Sequence, residues 1–324
     1  MDSSIVTLEN DFLKASFSLY GASLISLIYK PLNRETVCGF TSIDDLKNQS
    51  FYMGAVVGRV ANRIENGQFT LNNHLYSLPI NNGVHHLHGG TVGFNQALFR
   101  CVKEGSGLLF THISPAMDQG YPGELKIEMK VQLNQNSLIL EFDTESDQDT
   151  ISDPTLHTYF NLNENHSKSI RNHSLKVNAE IFYGLSDTGC TINAPLPVNE
   201  ILPKLGAKIE TVLTQNHLQL HRAKGLDHYF LKKDDRTPLV QLRSEDLSLE
   251  IETDLPGCHI YSGNYLEPTT DLSADFLQEN GAICFETHHI PNSINFSFKD
   301  APILKAHTQQ HSYTHYTFKG VDHD

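Results

Sequence analysis

The sequence predicts an all-β protein, a large antiparallel β-sandwich of few short helices, and three observations carry that expectation. Alternation of apolar and polar residues recurs from one end of the chain to the other, and turn-forming clusters separate the alternating runs. The strand-then-long-helix rhythm of a parallel sheet is missing, which disfavours a nucleotide-binding α/β fold. In each period-two run one face can meet a core while the other stays polar.

In chain order, Leu13, Ala15, Phe17 and Leu19 alternate with polar residues, and Tyr20-Gly21-Ala22 breaks the run before Leu24, Ile25, Leu27 and Ile28, which reads as a hairpin or meander. Ser42 to Asn48 reads as one short helix capped by Ser42. Gln68 to Leu78 is two alternating segments split by Asn72-Asn73, a pair suited to the left-handed conformations of a tight hairpin. That hairpin would fold His88 back beside Asn62 and Arg63. Leu125, Ile127, Met129, Val131 and Leu133 alternate strictly, and Asn134 to Ser137 turns the chain into Leu138, Leu140 and Phe142. Leu239 to Leu242 and Leu247 to Ile251 repeat the pattern across Arg243 to Asp246, and Tyr313 to Phe318 closes it. With no Pro-, Gly- or Ser-rich linker, low-complexity tract or repeat, residues 1–324 are expected to form a single domain.

Composition narrows the function. The hydrophobic share of 39% and charged share of 19% are globular, and no apolar run approaches the roughly 20 residues of a membrane span. The amino terminus lacks a basic n-region and an apolar h-region, so a cytoplasmic location is expected. A formal net charge of -14 argues against nucleic acid and anionic membranes as partners and favours a small neutral or cationic ligand. Cys38, Cys101, Cys190, Cys258 and Cys284 are odd in number and scattered without a Cys-x-x-Cys, which reads as buried free thiols rather than disulfides or structural zinc. No phosphate loop is present, since Gly54 to Gly58 lacks the Gly-Lys-Ser/Thr ending.

Five constellations carry the polar chemistry. Asn62 and Arg63 follow Gly58-Arg59-Val60-Ala61, where the guanidinium offers a planar fork for sugar hydroxyls or carboxylates, or pairs on the surface with Glu65. His88 precedes Gly89-Gly90, which leave room for a ligand near the backbone, although a histidine in a turn is ordinary. The neighbouring His85 and His86 raise a metal question, but Gly89 to Asn95 supplies no carboxylate, so no metal site is expected. In Thr155 to Leu162 a continuous strand would set His157, Tyr159 and Asn161 on one face and Leu156, Thr158, Phe160 and Leu162 on the other. Asp227 lies in a turn entering a strand, where it is either a ligand acceptor or plain turn chemistry. Glu286 directly follows an apolar run, and a carboxylate at the end of a buried strand is costly unless paired or functional, which makes it the strongest catalytic candidate.

Taken together, Gly58 to Ile64, Leu87-His88-Gly89-Gly90, His157 to Leu162, Gly225-Leu226-Asp227-His228 and Phe285-Glu286-Thr287 resemble the aldose 1-epimerase (galactose mutarotase) family in order and spacing, over nearly the whole chain. The resemblance implies a single β-sandwich of the mutarotase type that interconverts the α and β anomers of a free aldohexose such as glucose or galactose, without a cofactor. It implies Glu286 as general base, His157 as general acid and His88 as a second site histidine, with Asn62, Arg63 and Asp227 holding the sugar. His259 stands where the family commonly has a sugar-contacting Gln. Leu156, His288 and Phe99 also depart from the family pattern and leave the preferred aldose open.

The chemistry needs one base and one acid. A proton leaves the C1 hydroxyl, another reaches the ring oxygen, the ring opens, the aldehyde carbon turns about C1–C2, and closure occurs on its other face. Reference values near 4.3 for Glu and 6.5 for His imply an ionised Glu286 at pH 7 and a His157 protonated by roughly a quarter, more beside a carboxylate. Two alternatives stand beside this reading: a hexose-phosphate 1-epimerase, for which Arg59 and Arg63 would have to bind phosphate, and a non-catalytic sugar-binding domain. Monomer and homodimer are equally compatible with the sequence.

Overall fold

The computed structural model describes residues 4–203, 205–235, 238–270, 272, 274–296 and 301–321. Strands dominate, and the α-helices among the described residues are the short segments Ile43–Asn48, Ile209–Leu213 and Leu218–Ala223. The first forms where expected, with the Ser42 side chain accepting from the Asp45 N–H at its amino end.

Two large antiparallel sheets organise the chain. The larger runs, in spatial order, through Arg100–Glu104, Gly107–Ser114, Leu125–Asn134, Ser137–Ser146, Gln309–Gly320, Leu247–Thr253, Val240–Arg243, Ser174–Val177 and Ala207–Lys208. Its strict alternators pair in the register the sequence implies: Leu125–Asn134 and Ser137–Ser146 join as a hairpin from Leu125↔Ser146 to Asn134↔Ser137, with Gln135 at positive φ in the turn. The carboxyl-terminal strand Gln309–Gly320 lies between Ser137–Ser146 and Leu247–Thr253 and so joins distant parts of the chain.

The second sheet runs Thr191–Pro197, Ala179–Leu185, Asp227–Lys232, Gly257–Tyr261, Ile283–His288, Tyr159–Phe160 and Val37–Cys38. Pro195 and Pro197 lack an N–H for a ladder, and their strand accordingly sits at an edge. Alternation divides this sheet into two faces. Phe160, Phe182, Phe230, Ile260, Ile283 and Phe285 join the main core, which also holds Ile127, Leu140, Ile251 and Phe318 of the larger sheet. Phe160 meets Tyr316 across that core with ring centroids 5.3 Å apart. The other face carries Asp227, His259, Tyr159, Cys284 and Glu286, so burying the apolar half of each strand turns its polar half toward one side.

A four-stranded sheet, Ile5–Glu9, Leu13–Ser18, Leu24–Tyr29 and Arg34–Glu35, contains the first meander. The Asn-Asn hairpin also forms, Gln68–Leu71 with His74–Ser77, and both Asn72 and Asn73 take positive φ. Beyond it His86–Leu87 pairs with Arg63–Ile64.

Candidate active site

The residues singled out from the sequence line one open pocket of about 640 Å³, a volume in the usual range of small-molecule sites. Asn62, Arg63, His88, His157, Asp227, His259 and Glu286 all border it.

One wall is the Arg63–Ile64 and His86–Leu87 pair. Asn62, at positive φ, and His88 clamp each other: the His88 N–H donates to the Asn62 carbonyl at 3.1 Å, and the Asn62 N–H donates to His88 Nδ1 at 3.2 Å. His88 therefore accepts at Nδ1 and presents Nε2–H. Arg63 is not paired with Glu65; its Nε donates to Asn82 Oδ1 at 2.9 Å, which aims the guanidinium along the pocket. Arg59 points elsewhere. It is 2% exposed and donates to the Ser114 hydroxyl and to the carbonyls of Ser114, Pro115, Pro122 and Gly123, a structural role that uses its donor fork. Nor does Gly89 leave room for a ligand: a Cβ there would lie 1.6 Å from the Gly58 carbonyl oxygen, so its close approach is of chain to chain.

The opposite wall is the second sheet. His259 and Glu286 are direct partners on adjacent strands, and His259 Nε2 lies 2.7 Å from Asp227 Oδ1 on the next strand. Burial alone would raise the Asp227 carboxyl, but the His259 hydrogen bond and charge, with Arg63 and His228, hold it down at about 2. Burial and that Asp227 charge push Glu286 up to about 8, against the pull of Arg63. Burial drives His157 down to about 3 and His88 well below its ordinary range, where the charges of His157 and Arg63 add to it. The ionised Glu286 and part-protonated His157 expected from reference values are thus corrected: desolvation disfavours both charges, and the free pair keeps one proton, on the carboxyl.

Between the walls, Glu286 Oε1 is 3.6 Å from His157 Nε2, and Glu286 Oε2 is 3.9 Å from His88 Nδ1. Glu286 Oε2 is buried without a hydrogen-bond partner among the described residues, so a hydroxyl entering the pocket would supply one. His88, His157 and Glu286 also bring potential metal-ligand atoms within 4.8 Å of one another. The carboxylate that the His85-His86-Leu87-His88 neighbourhood lacks in sequence thus arrives from a distant strand.

Other expectations need revision. Thr155 to Leu162 is not one strand: Thr155–Leu156 pairs with Val56–Val57, and Tyr159–Phe160 pairs with Ile283–His288 and Val37–Cys38. His157 and Tyr159 border the pocket, whereas Asn161 donates to the Lys168 and Gly281 carbonyls. Leu156 and Phe99 belong to the core, and His288 is wholly buried with Nδ1 on the His289 carbonyl, so of the departures from the family pattern only His259 borders the pocket. Sequence reasoning missed Tyr52, whose ring lies 4.7 Å from that of His88 and 5.9 Å from that of His157, and Asn82, which aims Arg63. Asn82 lies in an Asn81-Asn82-Gly83 stretch whose only signal is that of a turn.

Comparison with known proteins bears on the chain as a whole. A family model described as aldose 1-epimerase matches residues 4–317. The galactose mutarotase of Sus scrofa is 31% identical over 96% of this chain and 92% of its own length, and the aldose 1-epimerase of Haemophilus influenzae is 33% identical over 97% and 95%. The crystal structure of an aldose epimerase homologue from C. elegans superposes with a TM-score of 0.89 at 25% identity, covering 98% of this chain and 99% of that one. With the family model matched over residues 4–317 and relatives more than 30% identical over nearly the whole length, the chain belongs to the aldose 1-epimerase family.

Proposed function

We propose that this protein is an isomerase that interconverts the α and β anomers of a free aldohexose, with Glu286 and His157 as its proton-transfer pair. The observation that carries the assignment of roles is the buried 3.6 Å approach of these two groups, with the free oxygen of Glu286 turned to a pocket of sugar-binding size. Anomerisation needs one proton donor and one acceptor, and a pair holding one proton supplies both. On sugar binding the proton lies on His157 Nε2, stabilised by ring-oxygen contact, and the Glu286 carboxylate takes the C1 hydroxyl proton. His157 then protonates the ring oxygen as the C1–O5 bond breaks. Rotation about C1–C2 and the reverse transfers close the ring on its other face and restore the pair. His88, Asn62, Arg63 and Asp227 orient the hydroxyls, and His259 acts on them chiefly through the Asp227 carboxylate it holds.

The pocket favours a neutral sugar over a hexose phosphate. Asp187, Asp227, Glu267 and Glu286 border it against Arg63 and Arg222, and Arg222 is already paired with Asp187 at 2.5 Å. Arg59, which the phosphate reading needed, is committed to backbone carbonyls. The reaction requires no metal or cofactor, since the pair handles both protons. Residues 1–324 act as one catalytic domain in the cytoplasm, as monomer or homodimer, with neither nucleic acid nor membrane as partner; no helix among the described residues is long and apolar enough to cross a membrane.

Polarimetry tests the proposal. Freshly dissolved α-D-glucose or α-D-galactose should reach anomeric equilibrium faster with the protein than with its Glu286→Gln variant, and glucose 6-phosphate should not respond. Equal rates with both proteins on these sugars, L-arabinose and D-xylose would overturn it. Activity lost in EDTA and restored by Zn²⁺ would contradict metal independence.

A further inference from the structure

The imidazole of His157 is held from both sides. Its Nε2 faces Glu286 at 3.6 Å, and its Nδ1 lies 3.3 Å from the Sγ of Cys284. Both partners come from one strand: Cys284 and Glu286 are two residues apart in Ile283–His288 and share a face, so the strand's own period places one group behind the ring and the other before it. Tyr159 pairs directly with Cys284 across the ladder, which brings the segment carrying His157 against the thiol.

We propose that Cys284 is a positioning residue of the epimerase reaction, its sulfur accepting the Nδ1–H of His157 and so keeping Nε2 free to give and take the catalytic proton. The inference rests on the acid role proposed for His157. An imidazole that releases a proton from Nε2 and later recovers it must carry a proton on Nδ1 throughout. The competing neutral tautomer, with hydrogen on Nε2, has its accepting lone pair on Nδ1 and none at Nε2, where the proton must return. An acceptor behind Nδ1 selects the working tautomer.

The choice of sulfur has a further consequence. A carboxylate behind the ring would hold His157 as imidazolium and leave the pair too poor a donor, while adding a second negative charge beside that of Asp227. Burial pushes the Cys284 thiol well above its ordinary range, with Glu286 and Cys258 adding to the shift, so it stays neutral. It therefore orients the ring without moving charge. Cys284 is fully buried, and its contact with His157 is internal to the protein.

The test compares Cys284→Ala with Cys284→Ser. Serine keeps an acceptor at nearly the same place and alanine removes it. On α-D-glucose or α-D-galactose, the alanine variant should lose about five- to tenfold in kcat, the worth of one neutral hydrogen bond, with KM little changed. The serine variant should recover most of that loss. Long-range ¹H–¹⁵N correlation of the histidine rings, with His157 identified by its absence in His157→Asn, should show Nδ1–H in wild type and serine variant and mixed tautomers in alanine. An alanine variant with wild-type kcat, serine and alanine variants impaired alike, or an Nε2–H tautomer in the wild-type protein would each overturn the role of Cys284. Lack of activity in the wild-type protein would instead overturn the function on which it rests, while the ring spectra, read without substrate, still report the tautomer.

Discussion

Glu286 Oε1, on the strand Ile283–His288, and His157 Nε2, in the link between Thr155–Leu156 and Tyr159–Phe160, stand 3.6 Å apart, both side chains almost wholly buried. Such a pair is costly to charge and inexpensive to keep neutral, so it retains a single proton over a wide pH range. In the proposed mechanism it is this proton that the pair exchanges with the sugar.

Removing either member should abolish most of the acceleration. Glu286→Gln and His157→Asn are each expected to lower kcat by about 10²- to 10⁴-fold, the usual contribution of a general acid or base. The rate of optical-rotation decay measures it. A loss below about tenfold in both would assign the proton transfers elsewhere.

The pH profile should follow the proton count of the pair. With His157 down at about 3 and Glu286 up at about 8, the pair holds one proton between those limits and none above about 8. Turnover is therefore expected to stay flat through neutrality and to fall as pH rises past about 8. Asp227→Asn removes the charge that helps raise Glu286, so the alkaline midpoint should move to lower pH, whatever the variant's overall rate. A midpoint that stays in place or rises would refute this coupling.

The same carboxyl sets a stability cost. In the unfolded chain Glu286 titrates near its ordinary value of 4.5, and in the folded chain at about 8, so the folded state binds the extra proton. Its stabilising contribution is complete below about 4.5 and is lost as pH rises to about 8. At 1.36 kcal/mol per unit, the loss is of order 5 kcal/mol. Glu286→Gln, which cannot ionise, should melt higher than wild type at pH 8.5 and nearly with it at pH 4.5. Thermal melts at the two pH values decide it, and equal gaps at both would sink the account.

The two arginines of the Gly58 to Ile64 stretch should behave oppositely. Arg59→Ala withdraws the buried guanidinium from the four carbonyls it bridges and is expected to cost about 3–5 kcal/mol in stability, read as a lower denaturant midpoint. Arg63→Ala should leave that midpoint nearly unchanged but raise KM about 10- to 100-fold, the loss of one charge-assisted hydrogen bond to a hydroxyl. Similar effects from both substitutions would remove the distinction between a structural and a sugar-holding arginine.

Local pattern made much of this protein legible before its structure. Strict alternation in Leu125–Asn134 and Ser137–Ser146 specifies which residues face the core, because the strand period is two and a one-residue slip would bury the polar set. Asn72-Asn73 and Ser42 specify a turn and a cap through chemistry confined to a few neighbouring residues. The motifs around Asn62, His88, His157, Asp227 and Glu286 are likewise sequence features, and the residues of all five border one pocket.

What only the tertiary structure decided is how those motifs act on one another. Arg59 and Arg63 look alike in sequence, yet one turns into the Ser114 to Gly123 loop and the other along the pocket, because distant carbonyls and Asn82 select them. At neutral pH Glu286 keeps its proton and His157 carries no charge, because burial penalises both charged forms and the Asp227 charge raises Glu286 further. Cys284 shows nothing in the sequence beyond a buried thiol, and acquires its place behind His157, 127 residues away in the chain, only when Tyr159–Phe160 pairs with Ile283–His288. Sequence period decides which way a side chain points along its own strand. Dielectric, charge and hydrogen-bond partners belong to the neighbours that folding brings, and no local pattern contains them.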